Sequence, residues 1–186
     1  MKRMWMLALS LALVLCGCAP TAREPDQLAL VRVLGVAGSG PVELTAVCGL
    51  DEGADTPVGG TCEGVDFAAA LEQAPWCAKQ ELTLTSVSYL VVGADVNLHE
   101  VLVQVLGDEE LGSTATVWVT LDPVGEVLEG CSDPEGDLTL LTNQGIKAPT
   151  VAAALATLTT QGQVELPCVG QSGGRLEQTG WCKWEE

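Results

Sequence analysis

The chain has 186 residues, 25 of them acidic and 8 basic, and a formal net charge of −17. A surface of that sign repels phosphate backbones, which excludes nucleic acid as a partner. Hydrophobic residues make up 47% of the chain and the acids are dispersed among loops, so the composition predicts one folded domain with a real core and not a disordered segment.

The N-terminus reads as a targeting segment. Lys2 and Arg3 form a charged start and Trp5 to Leu15 an apolar run of signal-peptide length. Leu15-Cys16-Gly17-Cys18 follows, and this tetrapeptide resembles the lipobox of bacterial lipoproteins, with Cys16 a less usual second residue. The resemblance implies a signal peptide over residues 1–17 and a fatty-acylated (diacylglyceryl, palmitate-type) Cys18 as the new N-terminus. It also implies a lipid-anchored protein of the cell envelope, with the membrane as a partner through Cys18. Ala19 stands where lipoproteins kept at the inner membrane carry Asp, which favours the outer membrane. The competing reading is an ordinary secretory signal or an uncleaved anchor. Acylation contributes ~0.8 kcal/mol per buried CH₂, so the rest of the chain needs no membrane-binding surface of its own. Residues 19–27 (APTAREPDQ), with two prolines and mixed charges, form a tether. Loss of residues 1–17 takes Lys2 and Arg3 from the eight basic residues and no acid, leaving 6 against 25, a net charge of −19.

Residues 28–36 and 41–48 predict two strands, with Val42, Leu44, Ala46 and Cys48 on one face. The glycine-rich and acidic stretch 49–64 predicts a long surface loop, and 66–73 a helix capped by Asp66 and stopped by Pro75. Residues 81–121 then predict three consecutive antiparallel strands, around which the remainder is organised. The first, 81–92, changes parity near Thr85-Ser86, where a β-bulge is expected. The second, 101–106 (VLVQVL), is apolar on both parities, as in a strand covered on both faces. The third, 113–121, alternates Ala115, Val117, Val119 and Leu121 with Thr114, Thr116, Trp118 and Thr120. A strand at 138–142, a helix or strand at 150–161, a strand at 163–169 with Pro167 at an edge or bulge, and a glycine-rich tail complete the chain. These elements predict one mainly β domain over 28–186, an antiparallel two-layer β-sandwich of immunoglobulin-like type with one or two short helices; a closed barrel is the alternative.

Beyond Cys16 and Cys18 there are six cysteines, which in an exported chain predict three disulfides. Cys48 with Cys62 and Cys168 with Cys182 each bracket a glycine-containing loop, which leaves Cys77 with Cys131, though six cysteines allow 15 connectivities. No pair has C-x-x-C spacing and the single His is remote from any Cys, so no zinc site is expected.

Gly170-Gln171-Ser172-Gly173-Gly174 matches G-x-S-x-G and looks like the G-D-S-G-G loop of trypsin-like proteases. No helical pattern follows Ser172, the only His (His99) lies upstream, and Gln171 replaces the Asp, so a glycine turn is the expectation. The acidic stretches 133–137 and Asp51, Glu52 and Asp55 lack EF-hand spacing and read as solvated turns with at most weak Ca²⁺ binding. Trp118, on the hydroxyl-lined parity of its strand, is the candidate binding residue. The sequence therefore predicts a non-enzymatic structural or binding module with no catalytic residue, metal or cofactor, and with an envelope protein as its potential partner. The alternatives are a carrier of a hydrophobic small molecule held between sheet layers, and a serine hydrolase using Ser172.

Overall fold

In the computed structural model of the chain the described residues are 28–49, 58–77 and 81–185. Eight strands form one sheet: β1 (Leu28–Ala37), β2 (Val42–Cys48), β3 (Val58–Gly64), β4 (Glu81–Thr83), β5 (Tyr89–Gly93), β6 (Thr116–Thr120), β7 (Gln163–Ser172) and β8 (Arg175–Glu185). Their order is β3-β2-β1-β5-β6-β7-β8, with β4 beside the start of β1. The central strands β1, β5, β6 and β7 run parallel; β2 and β8 flank them antiparallel, and β3 pairs antiparallel to β2 at the edge.

Five helices are present among the described residues: α1 (Phe67–Cys77), α2 (Leu98–Gly107), α3 (Val124–Glu129), α4 (Pro134–Asn143) and α5 (Val151–Gln161). Helices α1, α2 and α5 cover one face of the sheet around Phe67, Leu98, Leu102 and Leu158. Helices α3 and α4 cover the other around Val127, Leu128 and Leu138. Among the described residues no helix is long and apolar enough to cross a membrane.

The immunoglobulin-like antiparallel sandwich is therefore overturned: the fold is a mixed α/β single sheet with parallel pairs, not two packed sheets, and it has five helices where one or two were expected. The physical reason is burial on both faces. In β5 and β6 the residues Leu90, Val91, Val92, Val117, Trp118 and Val119 are all buried, the near-continuous apolar pattern of a parallel strand between two helical layers. Parallel neighbours also need long crossovers, and α2 supplies the one from β5 to β6. Residues 101–106 lie in that helix: Leu98, Val101, Leu102 and Val105 are its buried stripe, and the Asn97 side chain accepts from Glu100 N at 3.3 Å.

The expected strand at 138–142 is likewise part of α4. Asp133 caps it, accepting from Gly136 N at 2.9 Å, and Pro134 sits in its first turn. The expected bulge near Thr85-Ser86 is a 3₁₀ turn over Leu84–Ser86. Other expectations hold in part. Strands β1 and β2 pair with each other and Asp66 caps α1, but Pro75 does not stop that helix, which runs on to Cys77. Of the two readings of 150–161 the helix forms: α5 is capped by Thr150 and by Gly162, whose φ of 69° is left-handed. The predicted loop 49–64 contains β3 instead, and β7–β8 shifts register between Cys168 and Val169, one residue beyond Pro167, which itself pairs with Trp181. Residues 1–17, Cys18 and the tether 19–27 lie outside the described residues.

Candidate functional site

The parallel strands end together. Val36 pairs with Val92 and Gly93 with Thr120, so Ala37, Gly93 and Thr120 lie along one rim of the sheet. Ligands of open α/β sheets bind outside this carboxyl end. Here a cavity of about 850 Å³ opens between that rim, helix α3 and the outer face of β2 and β3.

Helix α3 can lie close to the sheet because Gly35 is beneath it. A Cβ built on Gly35 would meet Val124 Cγ1 at 2.6 Å and Leu128 Cδ1 at 2.7 Å. Thr120 shapes the turn into α3, its Oγ1 accepting from Asp122 N at 3.2 Å and donating to Asp122 O at 3.3 Å. Asp95, two residues past the end of β5, accepts from Gly38 N at 3.1 Å and ties the β1–β2 turn to the same rim. The β2 residues alternate: Leu44 and Ala46 enter the core under α1, while Glu43 points to the α3 side, level with Glu63 of β3.

Six carboxylates line the cavity, from Glu43, Glu63, Asp95, Asp122, Glu126 and Glu129, and among the described residues no Lys, Arg or His does. Buried Val42 and Val124 contribute apolar walls. Leu121 stands at the mouth, 70% exposed. Among the described residues no three of the acids converge as a metal-holding group. The site can thus attract positive charge and cover apolar surface, without focusing on a single ion.

Trp118 is not part of this surface. It is fully buried among Val127, Leu128 and Leu138, and its Nε1 donates to Thr116 Oγ1 at 3.0 Å. The expectation of an exposed binding Trp fails because α3 and α4 cover the parity that was read as solvent-facing.

The cysteine pairing is corrected as well: one disulfide is seen among the described residues, not three. Cys168 and Cys182 are bonded, with Cα atoms 5.8 Å apart, as expected. Cys48 and Cys62 are not bonded to each other. Cys62 is opposite Leu44, four residues from Cys48, roughly 13 Å along the strand, beyond the reach of a disulfide. Cys131, expected to pair with Cys77, is a buried free thiol in the α3–α4 layer; the Cys77 side chain lies outside the described residues.

Ser172 and His99 are not brought together. Ser172 precedes a tight turn through Gly173 and Gly174, at φ 59° and 80°, where the Gly174 carbonyl accepts from Ser132 N on the α3–α4 side. His99 is on α2, across the sheet. The acidic stretch 133–137 is the start of α4, and Asp137 is occupied by Arg175 Nε at 3.0 Å and Leu176 N at 2.8 Å. Asp51, Glu52 and Asp55 lie outside the described residues.

Sequence reasoning passed over the crevice acids. The available signal was Asp95 and Asp122, each just beyond a run of buried strand residues. No family model, curated protein or solved structure to which the chain was compared gave a match.

Proposed function

We propose that the chain is a lipid-anchored cell-envelope protein acting as a non-enzymatic binding module, and that its ligand site is the crevice at the carboxyl ends of β1, β5 and β6. One observation carries the site: a cavity of about 850 Å³ with apolar walls and six lining carboxylates, at the position where open α/β sheets take their ligands. Envelope residence rests on the lipobox-like Leu15-Cys16-Gly17-Cys18 and is supported by the Cys168–Cys182 disulfide, a bond that persists in oxidising compartments. The carrier reading loses its premise, because with a single sheet there is no space between sheet layers to hold a hydrophobic molecule.

Two measurements test this. Metabolic labelling with an alkynyl fatty acid should tag the wild-type chain and not Cys18→Ala; labelling that survives the substitution, or none in the wild type, removes the anchor. Titration of ¹⁵N-labelled full chain in neutral detergent with small organic amines should shift amides of Gly38, Glu43, Asp95 and Glu126. Shifts scattered over the whole surface, or none, would remove the site.

A further inference from the structure

We infer that the crevice receives a basic polypeptide segment carrying at least one apolar side chain, presented by a partner protein. This rests on the crevice being the ligand site.

The first consideration is how the charges are spaced. Glu43 and Glu63 come from β2 and β3, Asp95 and Asp122 from the ends of β5 and β6, and Glu126 and Glu129 from α3. None of the six makes an ion pair with a cation among the described residues, where the pairs formed involve Glu135, Asp137 and Glu185. No three of them converge on a point. A single ion would therefore leave most of the negative potential unmatched, whereas cationic side chains spaced along a chain can meet it at several places.

The second consideration is apolar. Leu121 is 70% exposed at the mouth, beside exposed Pro41 and Pro123 and above buried Val124. A hydrated polyamine gains little by covering a leucine, while an aliphatic or aromatic side chain of a peptide removes its surface from water. The groove also has room for a chain. On the α3 side of β3, Thr61 and Glu63 remain exposed past the helix, so the groove opens over the β2–β3 face instead of closing into a cage.

The third is placement. Strand β1 begins at Leu28, and its other end, Ala37, lines the crevice. At about 3.3 Å per residue these ends are roughly 30 Å apart. The crevice therefore lies at the end of the sheet remote from Leu28, open to solvent, where a protein partner can reach it.

The test uses the full chain in neutral detergent and fluorescence anisotropy of a labelled peptide of alternating lysine and leucine. A glutamate–leucine peptide serves as control and spermine as competitor. The lysine peptide should bind and the glutamate peptide should not. The combined variant Glu43→Gln/Glu63→Gln/Glu126→Gln should weaken binding about ten-fold or more. Glu109→Gln/Glu165→Gln/Glu177→Gln, equal in charge change but exposed elsewhere, should weaken it less than about two-fold, and Leu121→Ser several-fold. Circular dichroism confirms that each variant is folded. Equal losses in the two triple variants would mean attraction to the whole acidic surface and would overturn the inference. So would displacement by spermine at concentrations matching the peptide with no effect of Leu121→Ser, which would mark a small polycation site. Failure of the peptide alongside amine-induced shifts at Gly38, Glu43, Asp95 and Glu126 would sink the polypeptide partner and leave the crevice standing; failure of both would sink the site itself.

Discussion

Gly35 of β1 lies directly under Val124 of α3, with no space for a side chain between them. A methyl group there would sit 2.6 Å from Val124 Cγ1 and 3.3 Å from Thr45 Cβ. Gly35→Ala should therefore lift α3 from the sheet and cost roughly 1–3 kcal/mol, the usual range for overpacking a tight contact. Urea unfolding measures it. Because α3 forms one wall of the crevice, the same substitution should alter ligand binding as well, and an unchanged unfolding midpoint would mean that the helix is not seated this way.

Asp137 joins α4 to β8. Its side chain is nearly buried and accepts from Leu176 N at 2.8 Å and Arg175 Nε at 3.0 Å. Asp137→Ala leaves a buried N–H without an acceptor, for a loss of about 1–3 kcal/mol. Arg175→Ala removes a side chain that is 59% exposed and should cost at most about 1 kcal/mol. Equal losses from the two variants would show that the ion pair, and not the backbone hydrogen bond, holds α4 to the strand.

Strand β8 is an edge strand whose sheet partner is β7, and the Cys168–Cys182 bond ties it there. The sequence separation of 14 corresponds to about 3 kcal/mol in the chain-entropy model. Reduction, or Cys168→Ala/Cys182→Ala, should lower the melting temperature, and hydrogen exchange should then be fastest in Thr179 to Glu185. A melting curve indifferent to reductant would remove the bond from the account of stability.

Local signals in the sequence were informative where they were unambiguous. Alternation in β2 and the cap Asp66 identify their elements because each feature has one structural meaning, whereas 150–161 stayed open between helix and strand because its threonines oppose its alanines. Helix α2 was read as strand since Val103 and Leu106, at 45% and 37% exposure, put apolar residues on its solvent side and blurred the stripe made by Leu98, Val101, Leu102 and Val105. Helix α4 carried a start signal, Asp133-Pro134, that was taken for a turn. Reading those two helices as strands removed the crossovers, and without crossovers the strands could only be antiparallel. The crevice was illegible for the same reason. Its acids sit on five separate elements, and only the parallel order of β1, β5 and β6 brings their ends to one rim.

Cys131 gives a pH-dependent test of the α3–α4 layer. Burial, and secondarily the negative charge of Asp137, push its thiol up to about 11. Its Sγ donates to Val127 O at 3.1 Å, so the protonated form is the one that fits. An unfolded thiol titrates near ~8.5 to 9. As pH rises from about 9 to about 11 the unfolded chain releases this proton first, and the folded state then binds more protons than the unfolded one. The stability that the raised value represents is thus fully present below about 9 and is lost as pH rises through about 11. Urea midpoints of wild type and Cys131→Ala, compared from pH 8 to pH 11, should show wild type losing its advantage across that window, with changes common to both chains cancelling in the difference. Iodoacetamide followed by peptide mass mapping should find Cys131 unmodified in the folded protein at pH 8. Rapid alkylation there, or a stability difference that stays flat with pH, would place the thiol in solvent and open the layer that Trp118 and Leu138 close.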